Sequence, residues 1–473
     1  MTDADSQVHV PPAGDEQAVA EMIHSASLEL LADPGVRFEH DAITSILIKA
    51  GATAGGSSNT IRIPSEMVVE ALAQCPSEVL LADRRGAGTT IRPVGPASIW
   101  SVPALNIFES GRARPVRRAD MARFARILDG LENVDVVFGL ALDDVVPPAR
   151  DAVGLATMAE NSSKHLRPLS FSPEGAEVMV EMKKVVGSHP WFSIGFTAHG
   201  PLRWTNLALE IYMRTAGHGI PATVNGEPMA GVSAPVTLAG AAAVGNAEIL
   251  AGIVVNQLLE PGRPLIHNLG LAHVFDMKTA IAVTGGPENH LLAHAGAILG
   301  RFYNMPSASW VSTESMCPDE QAALEKMCGW LTHLQSGVSA VWGAGQLESE
   351  ISVSPAQAVI DNEMISYARR YCRGFEVDAD SLAVELSREV GIAGSFLDQE
   401  HTAVNFRSEL YFPGILCRTR RSAWEESGAK SLDQLAEEKA AQLASSEPHT
   451  GLDCDQVGQL RCLSSDFAER MEA

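Results

Sequence analysis

The sequence is short of positive charge, of clustered cysteines and of aromatic rings, and the first two shortages exclude whole classes of function. Lysine and arginine number 35 against 58 aspartates and glutamates, a net charge of −23. So acidic a chain repels a phosphate backbone, which excludes nucleic acid as a ligand, and the charge keeps it in solution. The seven cysteines (75, 317, 328, 372, 417, 454 and 462) are odd in number and scattered, with no Cys-x-x-Cys. That spacing supplies neither a disulfide frame nor a structural zinc site and fits a reducing cytoplasm. The polar opening, Met1 to Gln17, lacks the basic and apolar regions of a signal peptide and reads as a loose arm. No apolar run reads as long enough to span a bilayer. No Gly-x-Gly-x-x-Gly follows an early strand, and neither a Gly-x-Ser-x-Gly elbow nor His-Glu-x-x-His occurs. A dinucleotide site, a serine-hydrolase site and a zinc-protease site therefore lack support. His290 and His294 lie four apart, a spacing that suits a metal pair, but a core or helix-surface role is expected, and no metal site is assigned.

What is present is a regular alternation. Apolar or β-branched runs recur at Ala97–Ser101, Val134–Leu140, Arg167–Phe171, Phe192–Thr197, Pro221–Asn225, Pro264–Asn268, Pro306–Val311 and Ser339–Gly343. They lie roughly thirty-odd residues apart, the size of one strand, one helix and two loops. Helical patterns separate them. Arg118–Leu131 places Ala119, Ala122, Phe124, Ala125 and Leu128 on one face, and Leu238–Leu259 is apolar nearly all round, which predicts cover on several sides. Eight such units predict an α/β fold of the (β/α)8 barrel type over residues 96–350. An open doubly wound sheet is the competitor, and the count of eight favours the barrel. Residues 1–95 read as an arm and helical cap, with helices broken at Asp33-Pro34-Gly35, and residues 351–473 as a helical extension.

A barrel gathers its site from the carboxyl ends of the strands. Those ends carry Trp100, Asp143, Asp144, Ser170, Phe171, Phe196, His199, Asn225, Glu227, His267, Asn268, Trp310 and Trp342. Glu314 and Cys317 follow where the seventh strand hands over to a helix, with Pro318 suited to its first position. Aromatic residues are only 5% of the chain, yet several fall at this rim. Rings around a cavity suit a quaternary ammonium, which donates no hydrogen bond and is held by cation–π attraction. Barrel filling is the alternative role for any one ring.

Several long stretches resemble the trimethylamine methyltransferase family, in particular its members without pyrrolysine. They include N-G-E-P-M-A-G-V-S-A-P-V-T-L-A-G-A (Asn225–Ala241), N-A-E-I-L-A-G-I-V (Asn246–Val254), P-G-R-P-L-I (Pro261–Ile266) and P-D-E-Q-A-A-L-E-K (Pro318–Lys326). The resemblance implies a (β/α)8 barrel and a methyl transfer whose acceptor is cob(I)alamin, carried by a small corrinoid partner protein. No cofactor is then held permanently. The position of the family's pyrrolysine falls at Cys317, which implies a substrate that needs no activation: a quaternary amine, glycine betaine or a relative. Trimethylamine, carnitine, proline betaine, dimethylsulfoniopropionate and a barrel that binds without turnover are the alternatives. On this basis Trp310, Trp342 and Phe196 are expected to surround the trimethylammonium head. Glu314 or Glu227 would supply countercharge. Asn225, His267 or His401 would meet a substrate carboxylate, and Cys317 would line the pocket. A homo-oligomer is expected, with no membrane association.

Overall fold

The computed structural model describes residues 15–473. Most of the expected arm, Met1–Gly14, lies outside the described residues. Its last residues are not loose: Asp15 caps a helix that begins at Glu16, its carboxylate accepting from the Gln17 N–H at 3.0 Å.

Eight parallel strands form the core: β1 (Ser98–Ser101), β2 (Val136–Phe138), β3 (His165–Arg167), β4 (Ile194–Thr197), β5 (Ala222–Asn225), β6 (Leu265–Gly270), β7 (Ser307–Trp310) and β8 (Ala340–Ala344). They pair in the order β3-β2-β1-β8-β7-β6-β5-β4. The remaining gap is bridged where Leu166 meets Phe192, with the Ser193 N–H donating to the Leu166 carbonyl at 3.0 Å. A closed sheet leaves no edge, so short strands buried on both faces suffice. Seven of the eight expected runs contain a strand, and the remaining one, Arg167–Phe171, meets its strand only at Arg167. The third is displaced: β3 ends, rather than begins, at Arg167.

A helix follows each strand: α1 (Arg118–Asp129), α2 (Arg150–Ala159), α3 (Pro173–Val186), α4 (Asn206–Thr215), α5 (Leu238–Leu259), α6 (Pro287–Phe302), α7 (Glu320–Ser336) and α8 (Pro355–Arg373). Their starts are written locally. Ser172 and Ser354 cap α3 and α8 just before a proline at the first helical position, where the missing N–H costs nothing. In α7 the cap is Asp319, which accepts from the Ala322 N–H at 2.9 Å, so Pro318 stands outside the helix rather than at its first position. In α1, Met121 and Ile127 join Phe124, Ala125 and Leu128 in the core, while Ala119 is exposed.

Helix α5 is apolar and long enough to cross a membrane, contrary to the expectation that no such run exists, but 83% of its most apolar window is buried inside the protein. The cover comes from helices Glu16–Ala32 and Ser65–Gln74 of the N-terminal region, which pack on it from outside. The ring also takes in α8, which the sequence placed in the extension; it packs between α7 and α1 against β8. Beyond Arg373, four short helices between Ala379 and Glu426 contain no buried residue. Leu432–Ala444 then returns to α8 and α1, and Cys454–Glu472 packs on α2 and α3.

Candidate active site

Parallel strands alternate their side chains, and in-register neighbours fall in rows across the barrel interior. Trp310, Trp342 and Trp100 are register partners on β7, β8 and β1. Trp342 stacks on Trp100, centroids 5.7 Å apart, and meets Phe138 of β2 edge-on at 5.4 Å. The Arg167 guanidinium lies over Phe138, 5.2 Å from its centroid. Above this layer, at the carboxyl ends of the strands, opens a cavity of about 660 Å³. Arg167, Phe138 and Trp342 line it, together with Asn225 of β5, Glu227 just beyond that strand and Glu350 from the loop after β8.

The polar groups of this cavity differ sharply in how well they are satisfied. Asn225 accepts from Asn268 Nδ2 at 3.0 Å and donates to Thr197 Oγ1 at 3.3 Å, a network that holds its amide still. The indole N–H of Trp342 and the Nε–H of Arg167 are buried without an acceptor, as is the indole N–H of Trp310 in the ring layer next to the cavity. Glu227 draws no hydrogen bond, and burial pushes its carboxyl up to about 7. Burial first and the Glu227 charge second hold Glu350 well above the usual range. Glu248 of α5, behind them, is likewise raised to about 7 by burial, aided by Glu227 and opposed by the Leu202 N–H at 2.8 Å. Unpartnered buried groups are costly, and their gathering in one concave site marks a place built for a ligand.

The loop after β8 has an unusual backbone. Glu348, Ser349 and Glu350 all have positive φ, at 55°, 48° and 75°. Three successive non-glycine residues in the left-handed region store strain, and such strain persists where surrounding contacts over-determine it. Here the N–H groups of Leu105 and Asn106 both donate to the Ile351 carbonyl at 3.0 Å, and the Ser349 N–H donates to the Thr313 carbonyl at 2.9 Å. The loop thus holds Glu350 at the barrel mouth.

Of the residues expected at the site, Trp342, Phe196, Asn225 and Glu227 line the cavity. Phe196 lines it only in part, because its ring packs edge-on against Tyr212 of α4 at 5.6 Å. Trp310 stands beside Trp342 in the row, outside the lining of the cavity. Glu314 lies elsewhere and is saturated: it accepts from the Thr284 N–H at 2.6 Å, Thr284 Oγ1 at 2.9 Å and the Gly285 N–H at 2.9 Å. Cys317 faces a separate groove beside Met316 and Asp433, and burial and the Asp319 charge raise its thiol pKa. His267 points away from the cavity into the helical layer, where Nε2 meets Asn246 Oδ1 at 2.9 Å; burial lowers it to about 4, so it is neutral. His401 is exposed on the helix Glu400–Glu409. His290 and His294 diverge, one to Cys328 and the other to Ser336, and among the described residues no cluster is fit to hold a metal. Arg167, Phe138 and Glu350 were missed. Arg167 was placed at the wrong end of its strand, and nothing in the sequence announces the turn that presents Glu350.

The trimethylamine methyltransferase family model matches residues 9–473. The chain belongs to that family. It is a methyltransferase, and its relatives are similar over most of their length. The trimethylamine methyltransferase of Methanosarcina barkeri (strain Fusaro) is 30% identical, covering 93% of this chain and 92% of the relative. The glycine betaine methyltransferase of Desulfitobacterium hafniense (strain Y51) is 28% identical, covering 85% and 86%. Among solved structures, the monomethylamine methyltransferase of Methanosarcina barkeri shares the fold, with a TM-score of 0.53 at 13% identity, covering 98% of this chain and 88% of that one.

Proposed function

We propose that this methyltransferase moves a methyl group from a quaternary amine, glycine betaine or a close relative, to cob(I)alamin presented by a corrinoid protein at the barrel mouth. The observation that carries this reading is that the Trp342 ring and the unpartnered carboxyls Glu227 and Glu350 line one cavity. A cation without hydrogen-bond donors is attracted by a ring face, and its charge favours the ionised form of Glu227 and Glu350 beside it. A neutral tertiary amine would gain less from either.

The chemistry asks little more of the protein. Cobalt(I) attacks the methyl carbon, the carbon–nitrogen bond breaks, and its electron pair stays on nitrogen to leave a neutral tertiary amine. Charge on both reactants falls as the transition state forms, so a dry cavity assists it. No proton moves, and no general base is needed beside the rings. Cys317 stands near the family's pyrrolysine position, which supports a substrate that carries its own activation as positive charge. The 28% identical glycine betaine methyltransferase supports the same choice of substrate.

The test is methyl transfer to cob(I)alamin, with and without a corrinoid protein, across glycine betaine, proline betaine, carnitine, choline, trimethylamine and dimethylsulfoniopropionate. Methylcobalamin formation with a quaternary amine supports the reading. Turnover confined to trimethylamine or to the sulfonium would replace it, and saturable binding without transfer would make the barrel a binding module.

A further inference from the structure

The cavity has a buried cation at its floor and two carboxyls at its rim. At the floor, Arg167 is 3% exposed and forms no ion pair with any described carboxylate. Its Nη1 donates to the Ser193 carbonyl at 3.2 Å and its Nη2 to Thr223 Oγ1 at 3.3 Å, both long contacts to neutral acceptors. A guanidinium carries five N–H donors, and here Nε has no partner at all. Burial lowers its pKa only to about 9, so it stays charged near neutral pH. A buried cation without a counter-ion is expensive, and it is retained where a partner arrives later. At the rim, Glu227 stands four residues beyond Thr223, past the end of β5, roughly 13 Å away at most even for a fully extended chain. Glu350 is there too, and its titration senses the charge of Glu227.

We infer that Arg167 receives the carboxylate of the substrate and so selects zwitterionic quaternary amines over cations that lack an acid group. The inference rests on the quaternary-amine reading above and adds the anionic half of the substrate. It also fixes orientation. With its carboxylate on Arg167 and its ammonium toward Glu227 and Glu350, the substrate turns its methyl groups to the mouth, the side from which a protein-bound cobalt must approach. A guanidinium meets a carboxylate through two parallel N–H donors, which a lysine ammonium cannot copy.

Calorimetric titration of the full chain with glycine betaine, its uncharged amide, choline and tetramethylammonium tests this without any variant. Glycine betaine should bind about tenfold to a hundredfold tighter than its amide or choline, the range for a charge-assisted hydrogen-bonded pair. Arg167→Met should bring the four affinities within a few-fold of one another while tetramethylammonium binding is kept. Arg167→Lys should retain part of the preference, and circular dichroism would establish that each variant folds. Equal affinities in the parent protein for glycine betaine, its amide and choline would overturn the role of Arg167 yet leave the quaternary-amine reading standing. An Arg167→Met variant that folds and loses all four ligands alike would show a purely structural arginine. Failure of the parent to bind any of the four would sink the underlying reading, and this inference with it.

Discussion

Glu314 and Glu227 both follow barrel strands at their carboxyl ends, yet one ties loops together and the other faces an open cavity. Glu314 accepts hydrogen bonds from Thr284 and Gly285 in the preceding loop and from Ser349 Oγ at 3.3 Å in the loop after β8. It ties two loops together and has nothing left to offer a substrate. Glu227 and its neighbour Glu350 accept nothing and are pushed toward the protonated form by burial, and Glu350 also by the Glu227 charge. The difference teaches that a carboxylate at a barrel rim is read by its unfilled valence, not by its place in the chain. Satisfied groups hold loops, and unsatisfied ones are free to meet a ligand.

Breaking the first side of that comparison should have the largest effect. Glu314→Ala strands the Thr284 and Gly285 N–H groups and frees the Ser349 loop, and it should lower unfolding stability by roughly 2–4 kcal/mol in a denaturant melt. Binding by whatever remains folded should change less than stability does. A variant as stable as the parent with ligand binding lost would place Glu314 among the binding groups and collapse the distinction.

Glu227→Gln should do the reverse. A carboxyl whose folded pKa is raised to about 7 favours the folded state most below its unfolded value, and that advantage is lost as pH rises through 7. Removing it should therefore raise stability at pH 8 by roughly 1–2 kcal/mol, after allowance for solvent at the mouth, with no gain at pH 4. The same change should weaken binding of tetramethylammonium. In the parent, affinity for that cation should fall as pH drops below about 7, since Glu227 and Glu248 then protonate. The slope should flatten in the variant. Binding that is independent of pH in the parent would remove Glu227 from the cation site.

The rings sharpen the comparison further. Trp342→Phe keeps a ring in place but offers a weaker face, and it should weaken binding of a trimethylammonium ligand by about threefold to fivefold, roughly 0.5–1 kcal/mol. A neutral tert-butyl isostere should bind the parent worse than the amine, with a smaller gap in the variant. Trp310→Phe should leave the same ligand nearly unaffected, because Trp310 lies outside the lining of the cavity.

The barrel was legible because its signal is repeated: eight buried strands need eight apolar runs, and an error in one, as at Arg167, leaves the count intact. Asn225, Glu227 and Trp342 were legible for the same reason, since they fall at the ends of strands that periodicity locates. Glu350 was not, because a run of left-handed residues Glu348, Ser349 and Glu350 has no glycine to announce it. Arg167 was lost to a shift of a few residues, which moves a side chain from the foot of a strand to its head. His267 illustrates the other limit. A strand residue may face the lumen or the helices, and β6 is buried on both sides, so composition does not say which face His267 occupies.

The smallest expected effect lies at Cys317, the residue that the family resemblance sets against pyrrolysine. If that position acted on substrate in this chain, its side chain would have to enter the mouth cavity. Instead it borders a separate groove of about 680 Å³ between the loop before α7 and the helix Leu432–Ala444, with Asp433 and Glu437 opposite. Its Sγ approaches Asp319 Oδ2 at 3.7 Å, and that charge together with burial disfavours the thiolate, so the helix N-terminus does not make it a nucleophile. Cys317→Ser is then a near-isosteric change at a partly exposed site, and it should shift stability by less than about 0.5 kcal/mol and leave the Kd for substrate unchanged. Cys317→Trp should fill the groove and still leave that Kd within a factor of about two. Loss of substrate binding in the tryptophan variant, with its fold intact by circular dichroism, would show that the loop from Ser312 to Pro318 swings into the barrel mouth, and the groove would then be only its resting place.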